Sequence, residues 1–143
     1  GIDRIIHLSN GRVLRIDEKK REKDYGDILL ETHHTKGKSP HSEKVALGWI
    51  QKDLFIDYLA YAVIPSQVVY VFDWLLLRRA FVSNKVNWWH KANSTKNKAY
   101  MLSSANNGKY HTHGLCVPIS DLQKAVQNSS VVNLGTQQIG KAA

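Results

Sequence analysis

The sequence predicts an α/β (α+β) fold, a mixed β-sheet with flanking helices, on three observations. Apolar runs of strand length recur along the chain, at 5–8, 13–16, 27–31, 67–72, 100–103 and 110–117. Two Asn-Gly pairs, Asn10-Gly11 and Asn107-Gly108, separate neighbouring runs. Asn-Gly is the strongest short hairpin signal, because a type I′ turn needs positive φ at both central residues. Longer apolar stretches carry helix boundaries: 52–63 stops before Pro65, and Asp73 stands ahead of WLLLRRAF.

The elements follow in order. Residues 5–8 and 13–16 form a hairpin around Asn10-Gly11, and Gly26 introduces a third strand at 27–31. The segment TKGKSPHSEK, 35–44, has no hydrophobic pattern and reads as a mobile loop. KDLFIDYLAYAV, 52–63, reads as a largely buried helix, and QVVYVF, 67–72, as a central strand. Asp73 caps a helix reaching about residue 89, followed by a basic loop, HKANSTKNK, over 90–98. Strands at 100–103 and 110–117 flank Asn107-Gly108, and Ser120 caps a short helix over 121–126. The order is β-β-β-α-β-α-β-β-α. Residues 1–127 are expected to form one domain, and the small, polar stretch 128–143 a flexible C-terminal tail.

The 143 residues, 43% hydrophobic and 22% charged, suit a soluble globular domain with a core. No apolar run reaches transmembrane length and no signal peptide is evident, so no membrane partner is expected. Cys116 is the single cysteine, which excludes an internal disulfide and favours a reducing, cytoplasmic setting. The chain begins with Gly1 rather than Met and so reads as a processed product, a trimmed one or a fragment. The net charge of +8 and pI of about 9.6 attract polyanions, nucleic acid before acidic membrane.

The charge run RIDEKKR, 15–21, follows the second strand directly. A two-residue turn at Asn10-Gly11 sets Ile5 opposite Ile16, His7 opposite Leu14 and Asp3 opposite Glu18. One face then carries Asp3, Glu18 and Lys20, and the other Arg4, Asp17 and Lys19. Like charges directly opposite are destabilising. A bound cation, a shared proton or Lys20 would offset the repulsion, and a divalent metal suits best, because Mg²⁺ takes one or two carboxylates plus water and phosphate oxygens. A frayed hairpin end that leaves both acids in water is the plainer alternative.

Asp3 followed by Glu18-Lys19-Lys20 resembles the PD-(D/E)XK nuclease superfamily, whose restriction-endonuclease-like core is a helix, a three-stranded meander, a second helix and a further strand. The element order matches from the first strand through about residue 72. The resemblance implies Asp3 and Glu18 as metal ligands, with the Ile16 or Asp17 carbonyl, for Mg²⁺ or Mn²⁺. It implies Asp3, Glu18 and Lys20 as catalytic residues, Lys20 orienting water or stabilising developing charge. The implied reaction is hydrolysis of DNA phosphodiester bonds, by a homodimer where both strands are cut. Ile2 stands where the motif has proline, and only Gly1 and Ile2 precede Asp3, whereas many members add an acid from a helix ahead of that strand. The segments DYGDILLE, GWIQKDL and LRRA are also similar to those of small phage or prophage proteins.

Contacts to nucleic acid are expected from Lys36 and Lys38 in the mobile loop, and from Lys52 at the first helix. Arg78 and Arg79, with Lys85, offer a basic helix face for phosphates. Trp88, Lys91, Lys96 and Lys98 join an aromatic to positive charge, as stacking on bases requires; a helix end covering the core with one tryptophan is the alternative for Trp88-Trp89. Asp27 and Glu31 share a strand face and either flank the site or mark strand ends. His111 and His113, with His33, His34 or His41, make a weak zinc pattern. Two further readings of the whole are a catalytically inactive DNA-binding module of the same fold and a basic interaction protein without a nucleic-acid substrate.

Overall fold

The computed structural model describes residues 1–94, 96 and 98–135. The protein is α+β, with two helices and two sheets among these residues. The chain divides into two units: one of Gly1–Tyr25, Phe55–Leu77 and the residues from Gln123 on, the other of Gly26–Leu54 and Arg78–Leu122.

The first unit holds a five-stranded mixed sheet. Its strands are β1 (Arg4–His7), β2 (Val13–Arg21), β5 (Tyr58–Val63), β6 (Val68–Asp73) and β9 (Ser129–Asn133), in that spatial order. β2 is antiparallel to β1 and parallel to β5, and β6 is antiparallel to both its neighbours. β2 runs straight through the charge run, which the pleat sorts into buried Asp17 and exposed Glu18.

The hairpin forms at Asn10-Gly11, but its register corrects the expected one. Leu8 N–H donates to Arg12 O at 2.8 Å and Gly11 N–H to Leu8 O at 3.0 Å, with Gly11 at φ 83°. The loop is therefore three residues, closed by a left-handed glycine. Arg4 faces Ile16, Ile5 faces Arg15, and Ile6 faces Leu14. A slip of one residue moves every side chain to the other face relative to its partner.

The helix expected over 52–63 is not one. A 3₁₀ turn, Trp49–Gln51, precedes an extended stretch and then β5, in which alternate residues Leu59, Tyr61 and Val63 are buried. With strands paired on both sides, period two wins over the apolar run. The tail expected from 128 likewise contributes β9, which completes the free edge of β6; residues 136–143 lie outside the described residues.

At the start of β5, Asp57 fixes β2. It accepts Arg15 N–H at 2.7 Å and the Arg15 guanidinium through both oxygens at 3.2 Å. Arg15 first by its side chain, then by its backbone N–H, holds the Asp57 carboxyl below its ordinary 3.8. A depressed pKa gives stability that is present above the unfolded value and lost as pH falls through the folded one. Asp57→Asn is therefore expected to cost about 1 kcal/mol at neutral pH, kept small because both partners are a third exposed. The gap should close as pH is lowered through the acid limb below 3.8; urea unfolding across that range checks it.

The second unit holds a four-stranded antiparallel sheet in the order β4 (Lys44–Leu47), β3 (Asp27–Thr35), β8 (His111–Pro118) and β7 (Met101–Asn106). β3 thus pairs with β4 and β8, and does not extend β1–β2 into the expected three-stranded meander; β5 is the other neighbour of β2. β7 and β8 form the expected hairpin, with Gly108 at φ 86° and Asn107 N–H donating to Tyr110 O at 2.9 Å. Helix α1 (Trp74–Asn93) starts at Asp73, whose Oδ1 caps Leu76 N–H at 3.0 Å, as expected; it outlasts the expected end by four residues, 90–93. Helix α2 (Ile119–Val126) follows β8 directly.

Candidate functional site

Past β1 the ladder is irregular, since Asp3 N–H donates to Ile16 O at 3.0 Å although Arg4 is the residue facing Ile16, and the Asp3 carboxyl lies by Asp17 rather than by the Glu18 carboxyl. The two carboxyls act on each other, Asp17 lowering the pKa of Asp3 and Asp3 raising that of Asp17. Asp17 is 2% exposed, and Lys19 Nζ stands 2.7 Å from its Oδ2. Asp3 is exposed, and its Oδ2 accepts the Glu18 backbone N–H at 2.8 Å. Burial pushes the Asp17 carboxyl above its ordinary range, against the pull of Lys19. The Glu18 N–H, then Asp17, holds Asp3 below it. The two shifts run in opposite directions, so Asp17 is the member of the pair whose protonated form is favoured. The facing acids were expected to be Asp3 and Glu18, offset by a cation, a shared proton or Lys20; the cation the structure places by the acids is the Lys19 ammonium, at Asp17.

Glu18 and Lys20 lie on the opposite face. Glu18 accepts Arg4 Nε at 2.5 Å, and Lys20 pairs with Glu22 at 2.9 Å. The structure thus brings Asp3 together with Asp17 and Lys19, and separates it from the side chains of Glu18 and Lys20. A signal for the missed pair lay in the sequence: Asp17-Glu18-Lys19 has the same acid-x-lysine spacing one residue earlier. Hairpin loop length decides between the two.

The expected nucleic-acid contacts all fall in the second unit. Lys38, Lys52, Arg79, Lys96 and Lys98 are exposed. Lys52 follows the 3₁₀ turn and opens no helix. Lys36 is exposed but paired with Glu43 at 3.0 Å, and Arg78 with Asp53 at 2.8 Å. Lys91 lies over the Tyr100 ring, 5.0 Å from its centroid. Trp88 corrects the stacking expectation: it is 3% exposed and part of the core, while Trp89 is 48% exposed. Successive helical residues point about 100° apart, so one of two adjacent tryptophans can be buried while the other is wet.

His33 and His113 face each other across β3 and β8, with rings stacked at 4.9 Å. Three of their ring nitrogens are engaged by protein: His33 Nδ1 with Thr32 Oγ1 at 2.9 Å, His33 Nε2 with Pro40 O at 3.3 Å, and His113 Nε2 with Thr35 Oγ1 at 2.7 Å. Burial lowers both pKa values and so favours the neutral rings. Among the described residues no group of three or more His, Cys, Asp or Glu is placed to hold a metal, and no helix is long and apolar enough to cross a membrane. No family model, curated protein or solved structure matches this chain.

Proposed function

We propose that the protein is a cytoplasmic, metal-dependent nuclease that hydrolyses DNA phosphodiester bonds, with Asp3, Asp17 and Lys19 as its site. The observation that carries this reading is the meeting of two carboxyls and a lysine across one hairpin. Asp17 is held there although burial disfavours its charge. Among the described residues no hydrogen bond of good angle reaches its buried Oδ2, although Lys19 Nζ is close. Such an oxygen beside a second carboxylate fits a hard divalent cation such as Mg²⁺ or Mn²⁺, which takes few protein ligands and completes its shell with water and phosphate.

Asp3 and Asp17 would hold that ion through carboxylate oxygens. Bound there, it would supply charge stabilisation at the scissile phosphate and make water a better nucleophile. Lys19 supplies a cation beside the same phosphate, where negative charge develops as the bond breaks. The net charge of +8 favours a polyanionic substrate, and the exposed lysines and Arg79 of the second unit supply sequence-independent phosphate contacts. Cutting both strands of a duplex is simplest for a homodimer. One observation favours the inactive DNA-binding module instead: two acids are fewer than the three ligands of a protein-built metal site.

The test is cleavage of supercoiled and single-stranded DNA with Mg²⁺ or Mn²⁺ and with EDTA. Lys19→Ala is expected to lose roughly 100-fold in rate, whereas Glu18→Gln and Lys20→Ala retain it. Metal-independent cleavage, or equal rates in parent and Lys19→Ala, rejects the site. DNA binding that weakens with salt, without any cleavage, leaves the binding module.

A further inference from the structure

We propose that the second unit carries a pocket for one nucleotide, its base against Trp89 and its phosphate held by Lys44 and Lys85. The pocket is separate from the Asp3–Asp17–Lys19 site, and the inference stands whether or not that site cleaves DNA.

A cavity of about 490 Å³ opens among β3, β4, β7, β8, the 3₁₀ turn and α1, a volume typical of small-molecule sites. α1 contributes Phe81, Lys85, Trp89 and Asn93, spaced four apart and therefore stacked along one helix face. That stripe sets a cation, a half-exposed indole and an amide over the apolar Phe81. Across from these the cavity is walled by His33 and His113, whose stacking and hydrogen bonds to Thr32, Pro40 and Thr35 hold them in place.

The chemistry of the lining selects the ligand. No Asp or Glu lines the cavity among the described residues, whereas Lys44 and Lys85 both do. Neither lysine has a carboxylate partner among those residues, unlike Lys19, Lys20 and Lys36. Two unopposed cations beside a cavity call for an anion. The Trp89 indole, 48% exposed and in T-shaped contact with His90 at 5.5 Å, offers a planar ring a surface to pack on. Gln51 gives its amide N–H to Thr32 O at 3.0 Å and Asn93 gives its own to Trp89 O at 2.9 Å. Each is left with an amide oxygen able to accept from a base amino or ring N–H group. An anion joined to a planar, hydrogen-bonding ring is a nucleoside monophosphate, free or as one unit of a DNA strand.

The test uses the full chain in EDTA, so that metal-dependent cleavage cannot confuse the readout. The Trp89 indole N–H resonance, assigned by its loss in Trp89→Leu, is followed during titration with dAMP, dTMP, thymidine, inorganic phosphate and a 5′-phosphorylated DNA tetramer; calorimetry gives the affinities. A saturable shift with dAMP or dTMP is expected, with thymidine and phosphate each at least about tenfold weaker. Lys44→Gln, Lys85→Gln and Trp89→Leu, all changes at exposed positions, should each weaken nucleotide binding by about tenfold. Tighter binding of the tetramer assigns the pocket to DNA, and equal binding to free nucleotides. No saturable shift at ~10 mM nucleotide, equal affinity for phosphate alone, or indifference to all three substitutions overturns the proposal. None of those results bears on the cleavage site, which is read by rate alone.

Discussion

Asp17→Asn is expected to lower the rate of DNA cleavage by at least about 100-fold while leaving the protein as stable as the parent or more so. Asparagine keeps the size of the side chain and has an N–H to offer the Asp3 carboxylate, and the bond from Glu18 N–H to Asp3 is untouched, so packing and the hairpin contact survive. What is lost is the carboxylate, which a divalent cation needs and the folded chain does not. Burial works against the ionised form of Asp17, and a buried charge is weak evidence of a stabilising role. Lys19 loses its partner but is 29% exposed and can turn to water. Initial rates on supercoiled DNA with Mg²⁺, set beside urea unfolding of the same variant, check both halves. A structural role would show the reverse, with activity falling only as stability falls. Retained cleavage in Asp17→Asn together with loss in Glu18→Gln would mean that the two-residue turn forms in solution and that Glu18 faces Asp3 after all.

That contrast also marks where the sequence stops being informative. A hairpin at Asn10-Gly11 is legible, because glycine is wanted at that point in either turn. A two-residue loop needs positive φ at both central residues, and a three-residue loop closes on a left-handed glycine, so Gly11 serves both. One residue of loop length exchanges Glu18 and Lys20 for Asp17 and Lys19, and no local signal distinguishes the two. The α+β class and the start of α1 at Asp73 are local properties and were readable. β5 was not: Leu59, Tyr61 and Val63 sit in an apolar run that suits a buried helix until strands on both sides impose alternation. Nor was β9, since Ser129-Ser130-Val131-Val132-Asn133 becomes a strand only because β6 offers it an edge. The nucleotide pocket was half visible. The spacing of Phe81, Lys85, Trp89 and Asn93 is in the sequence, but which of Trp88 and Trp89 faces inward depends on what packs against the helix.

Gly48→Ala should be among the most destabilising single methyl additions in the protein, costing about 3 kcal/mol or more, at the upper end for overpacking. The backbone of Gly48 is in the ordinary extended region, at φ −73° and ψ 165°, so conformational freedom is not the reason for glycine here. Space is the reason. A Cβ at this position would lie 2.1 Å from Glu31 O, 2.3 Å from Glu31 C and 2.6 Å from Thr32 N, all backbone atoms of β3 that cannot swing aside. The close approach is built around an irregularity in β3, where the pairing with β8 shifts between Glu31 and His33. There Thr32 O accepts Gly48 N–H at 2.8 Å and Gln51 Nε2 at 3.0 Å. A methyl group would push the 3₁₀ turn off β3, break both bonds and unseat buried Trp49 and Ile50. Because Thr32, His33 and Gln51 also line the cavity, nucleotide binding should fall with stability. Gly108→Ala is the matched control: it has open space around it and only a left-handed φ of 86° to violate, a cost of about 1 kcal/mol. Urea unfolding of the two variants side by side measures the difference. If Gly48→Ala costs no more than Gly108→Ala, the 3₁₀ turn does not rest on β3 in solution, and the wall it gives the nucleotide pocket goes with it.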